Sequence, residues 1–187
     1  MIKYMVWDFG LVFGLAIVAL YVAAAAGFIP VGMFFLGKGD RKALGAQTFF
    51  VGIFQFLSVA YLLATATTIK DPSLQTLVTL IAINVVALSI IWLSLGITLM
   101  NEWDLRPMGV HLAISFIVFL ALAAWWALKG SAYLTVGNIT YAITVFCTAL
   151  HIAGKLKNAK AVGIIFLVFG VITVLVPAIW LLFAPLP

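Results

Sequence analysis

The chain has 187 residues, of which 66% are hydrophobic and 8% charged, and a formal net charge of +5. Soluble domains carry about a quarter of their residues as charges, so a chain with this composition and a mean hydropathy of +1.30 cannot cover itself with polar surface. It reads as an integral membrane protein, and its positive charge does not point to nucleic acid, because nearly all the cations fall in short loops between apolar runs.

Strand-like alternation over about ten residues, the mark of an outer-membrane barrel, is absent; continuous apolar runs long enough for spanning helices take its place. The pattern predicts an all-α integral membrane fold, a single transmembrane domain over 1–187 with six spans at roughly 9–36, 43–67, 74–100, 108–128, 132–153 and 161–184. The first run is too long for the apolar core of a secretory leader, so no cleaved leader is expected. It contains Gly27, Pro30 and Gly32. Proline lacks a backbone donor and crowds the carbonyl one turn back, so a kink is expected near Pro30, and another at Pro177 in span six.

Between spans one and two the run Leu36-Gly-Lys-Gly-Asp-Arg-Lys42 packs charges at Lys38, Asp40, Arg41 and Lys42. The loops after spans one, three and five hold Lys38, Arg41, Lys42, Arg106, Lys155, Lys157 and Lys160, against Lys3, Lys70 and Lys129 on the opposite side. The excess of cations places those three loops in the cytoplasm and both termini outside the cytoplasm of a cell inner or plasma membrane. A weaker copy of the first loop recurs late in the chain. Gly45 followed by Gly52 after a cationic turn matches Gly163 followed by Gly170, and in that register Gln55 corresponds to Thr173. The turn after span three, around Arg106 and Gly109, is more divergent. Three hairpins with their short turns on one side suggest parallel repeats.

Polar groups within a span cost energy unless they find partners or water. Span two carries Gln47, Gln55, Ser58 and Thr65 on one stripe, and span three offers Asn84 and Trp92. Span five places Asn138, Tyr141, Thr144, Thr148 and His151 at helical spacing on one face. These stripes have two readings. They line a polar path for a small neutral solute, or they are interhelical glue in a structural or accessory subunit of a larger membrane complex. No Asp, Glu, Lys or Arg falls in the middle of a span, which disfavours ion-coupled transport. His111 and His151 lie near cytoplasmic span ends and read as interfacial hydrogen-bonders. Cys147 reads as a small packing residue, and Trp7, Trp103, Trp126, Tyr133 and Trp180 as interfacial belt residues. No motif of an enzyme is present, and no metal-ligand cluster is expected.

Leu36-x-Lys38-x-Asp40-x-Lys42 followed by Phe49-Phe50-Val51-Gly52 resembles the first hairpin of the AmiS/UreI family of urea and short-chain amide channels. Asp104-Leu-Arg106-Pro107, Lys155 to Lys160, and Gly170-x-x-Thr173-x-x-x-Pro177-Ala178 resemble later family segments in the same order. The resemblance implies six helices as three helical hairpins around a pore in each protomer, and a homohexamer. It further implies passive movement of urea or a small amide without a cofactor. It implies constrictions formed by aromatic residues on spans three and five and a polar residue on span six, and carries the aromatic positions onto Trp92 and Leu88 of span three and Tyr141 and Val145 of span five. Together with the stripes, the expected pore lining is Gln55, Asn84, Leu88, Trp92, Asn138, Tyr141, Thr144, Val145, Thr148, Phe169 and Thr173. Two positions depart from the family pattern: Phe169 stands where the urea channels carry a glutamate, and Val145 replaces a constriction tryptophan. The external loop at Thr67 to Ser73 is short and without histidine, so acid gating through it is not expected. The solute stays open between urea, a short amide and another small neutral molecule.

Overall fold

The computed structural model describes the backbone of residues 11–183, and no strand occurs among them. The elements are α1 (Leu11–Phe35), α2 (Arg41–Thr68), α3 (Pro72–Met100), α4 (Arg106–Leu128), α5 (Ala132–Ile152) and α6 (Ala159–Phe169). A π-helical segment (Gly170–Leu175) leads from α6 into α7 (Val176–Phe183). Six helical stretches are long and apolar enough to cross a membrane, the last being α6 through α7. The shortest span formed by one unbroken helix, α5, has 21 residues, and at about 1.5 Å per residue that matches a hydrocarbon core of about 30 Å.

The ends of the helices follow local chemistry. Asp71 caps α3 by accepting from Ser73 N (2.8 Å) and Ser73 Oγ (2.6 Å), and Pro72 follows where its missing N–H costs nothing. The hydrogen bonds from Ser73, that of its hydroxyl first, hold the Asp71 carboxyl below its ordinary range. Asn158 caps the start of α6 by accepting from Ala161 N. At the end of α5, Gly154 adopts φ +71° and Lys155 N returns to Leu150 O (2.9 Å), a left-handed stop that glycine takes without strain. At the end of α3, Glu102 fills the same role at φ +56°. α1 runs unbroken through Pro30. At Pro177 the helix instead widens, and Val176 N reaches back five residues to Val171 O.

By packing, the chain divides into two compact units: 41–104, holding α2 and α3, and 1–40 with 105–187, holding the rest. In the smaller unit α2 and α3 run antiparallel with their backbones close together. A Cβ added at Gly45 would lie 2.7 Å from Met100 N, at Gly52 2.7 Å from Leu93 N, and at Gly96 2.6 Å from Phe49 N, so these glycines are what allows the approach. Lys42 and Glu102 pair across the exposed end at 3.2 Å, and Arg41 Nη2 donates to Trp103 O at 3.0 Å.

In the larger unit α4 packs along α5, with Phe116 stacked on Phe146 at 4.7 Å. α1 packs along α6 and the π segment. There Gly163 meets the carbonyl of Gly32, with 2.7 Å to an added Cβ, and Gly170 meets Phe28. Both glycine pairs of the sequence repeat therefore do one job: each lets its span lie against a neighbouring helix, α3 in one unit and α1 in the other. Within the units the close pairs are α2 with α3, α4 with α5, and α6 with α1.

Candidate functional site

On α5, four members of the polar stripe, Asn138, Tyr141, Thr144 and Thr148, are buried, Val145 is buried with them, and His151 is half-buried. The threonine hydroxyls turn back on their own helix, Thr144 Oγ1 to Thr140 O (2.7 Å) and Thr148 Oγ1 to Thr144 O (2.8 Å). Each hydroxyl has then committed its proton and keeps acceptor capacity. Asn138 is 1% exposed. Its Nδ2 donates to Leu134 O at 2.9 Å, while its Oδ1 is buried with no hydrogen-bond partner among the described residues. The Leu134 contact sets the amide's orientation, because the reverse would press Oδ1 against another carbonyl.

Tyr141 is held by two rings from other helices. Phe28 of α1 stacks on it at 5.5 Å, and Phe119 of α4 meets it tilted at 5.6 Å. Neither phenylalanine is distinguishable in the sequence, where each is one of 15 in apolar surroundings. In the sixth span Phe169 and Thr173 are half-buried, and Thr173 Oγ1 bonds back to Phe169 O at 2.6 Å.

The smaller unit holds the remaining expected residues. Asn84, Leu88 and Trp92 follow one another at intervals of one turn on α3, with Leu88 and Trp92 buried and Asn84 half-buried. Gln55 on α2 is 1% exposed. The Oε1 of Gln55 and the Oδ1 of Asn84 are, like that of Asn138, buried without a partner among the described residues. The rest of the α2 stripe behaves differently. Gln47 is exposed, and the half-buried Ser58 and Thr65 satisfy themselves on Phe54 O and Tyr61 O.

Several belt assignments change. Trp103 is exposed at 58%, but Trp126 is buried at 2%. Tyr133 is half-buried and donates its hydroxyl to Thr173 O at 3.1 Å, so it belongs to the interior. Trp7 and the side chain of Trp180 lie outside the described residues. His151 Nδ1 lies 2.7 Å from Leu156 O. Because a carbonyl only accepts, Nδ1 is the protonated nitrogen, and the ring edge rests on Phe35 at 5.4 Å. His111 is half-buried on α4. Among the described residues no group of three His, Cys, Asp or Glu could hold a metal ion, and Cys147 is a half-buried free thiol.

The described spans thus combine long apolar helices, interiors free of charge and buried amide oxygens. The model of the AmiS/UreI family transporter matches residues 15–184. The chain belongs to that family. The solved structure of the Helicobacter pylori urea channel in its closed state superposes with a TM-score of 0.74 at 16% identity, over 91% of this chain and 96% of that one. The fold of this family member is therefore the fold of that channel. A comparison with curated proteins finds no match. This AmiS/UreI transporter is accordingly a multi-pass, all-helical membrane protein.

Proposed function

We propose that this protein is a passive channel for a small neutral solute with N–H donors, urea or a short-chain amide, with one pore in each protomer. The observation that carries the reading is the set of buried amide oxygens, Asn138 Oδ1, Gln55 Oε1 and Asn84 Oδ1, that have no partner within the described residues. Leaving such an acceptor unsatisfied costs about 1–3 kcal/mol. The cost is recovered when a passing N–H, or the water travelling with it, takes the vacant lone pair. Urea and primary amides present two or more such protons. A solute that only accepts would gain nothing from these three groups. The absence of charge in mid-span fits movement down a gradient, since coupling to ions needs ionisable groups within the membrane.

The solute-facing residues we infer are, in the larger unit, Asn138, Tyr141, Thr144, Val145 and Thr148 of α5 with Phe169 and Thr173 of the sixth span, and, in the smaller unit taken by itself, Gln55, Asn84, Leu88 and Trp92. Tyr141, clamped between Phe28 and Phe119, supplies a rigid flat wall. Phe169 puts an apolar ring where the family resemblance leads one to expect a carboxylate, which favours amides with an alkyl group alongside urea. Residues 1–187 act as one transmembrane domain in a cell inner membrane, both termini extracytoplasmic, in a homohexamer that needs no cofactor.

The test is stopped-flow light scattering on proteoliposomes shrunk and re-swollen in gradients of urea and acetamide. Re-swelling faster than empty liposomes is the expected result. Rates equal to empty liposomes for both solutes would refute the channel and leave packing as the purpose of the polar stripes.

A further inference from the structure

Pro177 leaves a gap in the hydrogen bonding of the sixth span. In an α-helix the carbonyl of Thr173 would accept from the N–H of residue 177, and proline has none. The span responds by widening into the π segment Gly170–Leu175, where Val176 N reaches Val171 O. A donor arrives from another helix: Tyr133 Oη, at the start of α5, bonds Thr173 O at 3.1 Å across 40 residues of sequence. The ring of Tyr133 is itself braced by Tyr21 of α1, with centroids 6.3 Å apart. The same backbone unit carries the Thr173 side chain, whose hydroxyl is turned onto Phe169 O at 2.6 Å. Thr173 occupies the repeat position of Gln55, which is 1% exposed with an unpartnered oxygen.

We propose that Tyr133 is a positioning residue for solute selection: its hydroxyl stands in for the amide that Pro177 lacks, holds the π segment in one conformation, and so fixes Thr173 and Phe169 against the passing solute. This rests on the channel reading above. Short π segments inside α-helices are intrinsically less stable than the regular helix and are characteristically found at functional sites. Pro177 already disfavours the regular helix here, and a hydrogen bond to the Thr173 carbonyl narrows the arrangements left to the segment. Without it the segment relaxes, the two side chains lose their set positions, and discrimination between solutes of different width falls.

The experiment is a double-mutant cycle of Tyr133→Phe and Pro177→Ala, with Pro177→Leu replacing Ala should that variant not fold. Tyr133→Phe keeps the ring and its ring contact with Tyr21. Because the Tyr133 hydroxyl is also hydrogen-bonded to Tyr21, all four proteins carry Tyr21→Phe, so that the bond to Thr173 O is what the substitution removes. Two quantities are read on all four proteins: the ratio of urea to acetamide permeability in proteoliposomes, and the melting midpoint of the purified protein in detergent. Tyr133→Phe alone should change the ratio about fivefold, the worth of one hydrogen bond, and lower the midpoint. Ala at 177 restores an N–H for Thr173 O, so in that background Tyr133→Phe should change neither quantity further.

A ratio unmoved by Tyr133→Phe overturns the positioning role even if the midpoint falls. Equal effects in both backgrounds also overturn it, because the hydroxyl would then act somewhere other than on the carbonyl freed by proline. If the wild type itself moves neither solute, the channel reading falls and takes the selection role with it. The midpoints of the four proteins then still decide whether the Tyr133 hydroxyl and Pro177 are coupled.

Discussion

Asn138 offers a perturbation whose two consequences have opposite signs. Asn138→Leu keeps nearly the same shape while deleting both polar atoms. On the stability side, it removes a buried carbonyl oxygen with no partner, a relief of about 1–3 kcal/mol. It also removes the bond from Nδ2 to Leu134 O, a loss of about 1 kcal/mol. The balance is an expected gain of between about 0 and 2 kcal/mol, or a rise of up to about 8 °C in the melting midpoint for a chain of this size. On the transport side, the solute loses one N–H···O contact at the point where it has shed water. A barrier raised by about 1–1.4 kcal/mol lowers permeability about five- to tenfold. The assays are melting in detergent and stopped-flow re-swelling with urea and acetamide. Permeability that stays at the wild-type level in a folded Asn138→Leu protein would refute the role of this oxygen. Permeability and stability falling together would refute the argument that the amide is held at a cost to the fold.

Other expectations concern the scaffold. Gly52→Ala should destabilise by about 1–3 kcal/mol, since the added Cβ would lie 2.7 Å from the backbone N of Leu93. Gly137→Ala, where an added Cβ has open space, should stabilise by up to about 1 kcal/mol through helix propensity alone. Equal melting shifts for the two would show that the α2–α3 approach does not depend on glycine. For Asp71, the hydrogen bonds from Ser73 depress the folded carboxyl below its unfolded value. Its contribution to stability is therefore present above the unfolded value of about 3.9 and is lost as pH falls through the lower folded one. Between about pH 5 and pH 2 the wild type should lose more thermal stability than Asp71→Asn, and parallel losses would contradict this assignment of the cap.

Much of the site is legible in the sequence. The helical spacing of Asn138, Tyr141, Thr144 and Thr148 sets their relative angles, and four polar groups in one line can only be tolerated facing inward. The α2 stripe shows the limit of the same reasoning. Gln47 and Gln55 lie about 80° apart around an α-helix, and which of them is buried depends on how the helix is rolled. Gly45 and Gly52 decide that roll by admitting the α3 backbone on their side, and Gln55 goes in while Gln47 stays out. Trp126 and Tyr133 have the composition of belt residues, yet the packing of neighbouring helices encloses them.

What the sequence by itself determined is the membrane class, the number of spans, the cationic loops between them and the family, because composition, run length and loop motifs need no partner to be read. It also made a disturbance at Pro177 predictable. The form of that disturbance, a π segment whose freed carbonyl is taken by Tyr133, only the tertiary structure decided. So too with the unbroken course of α1 through Pro30, the Phe28 and Phe119 clamp on Tyr141, and the three unpartnered amide oxygens. The physical reason is common to all of them. A helix carries its own hydrogen bonds and periodicity in local sequence, but what a given side chain meets depends on the roll and depth of neighbouring helices.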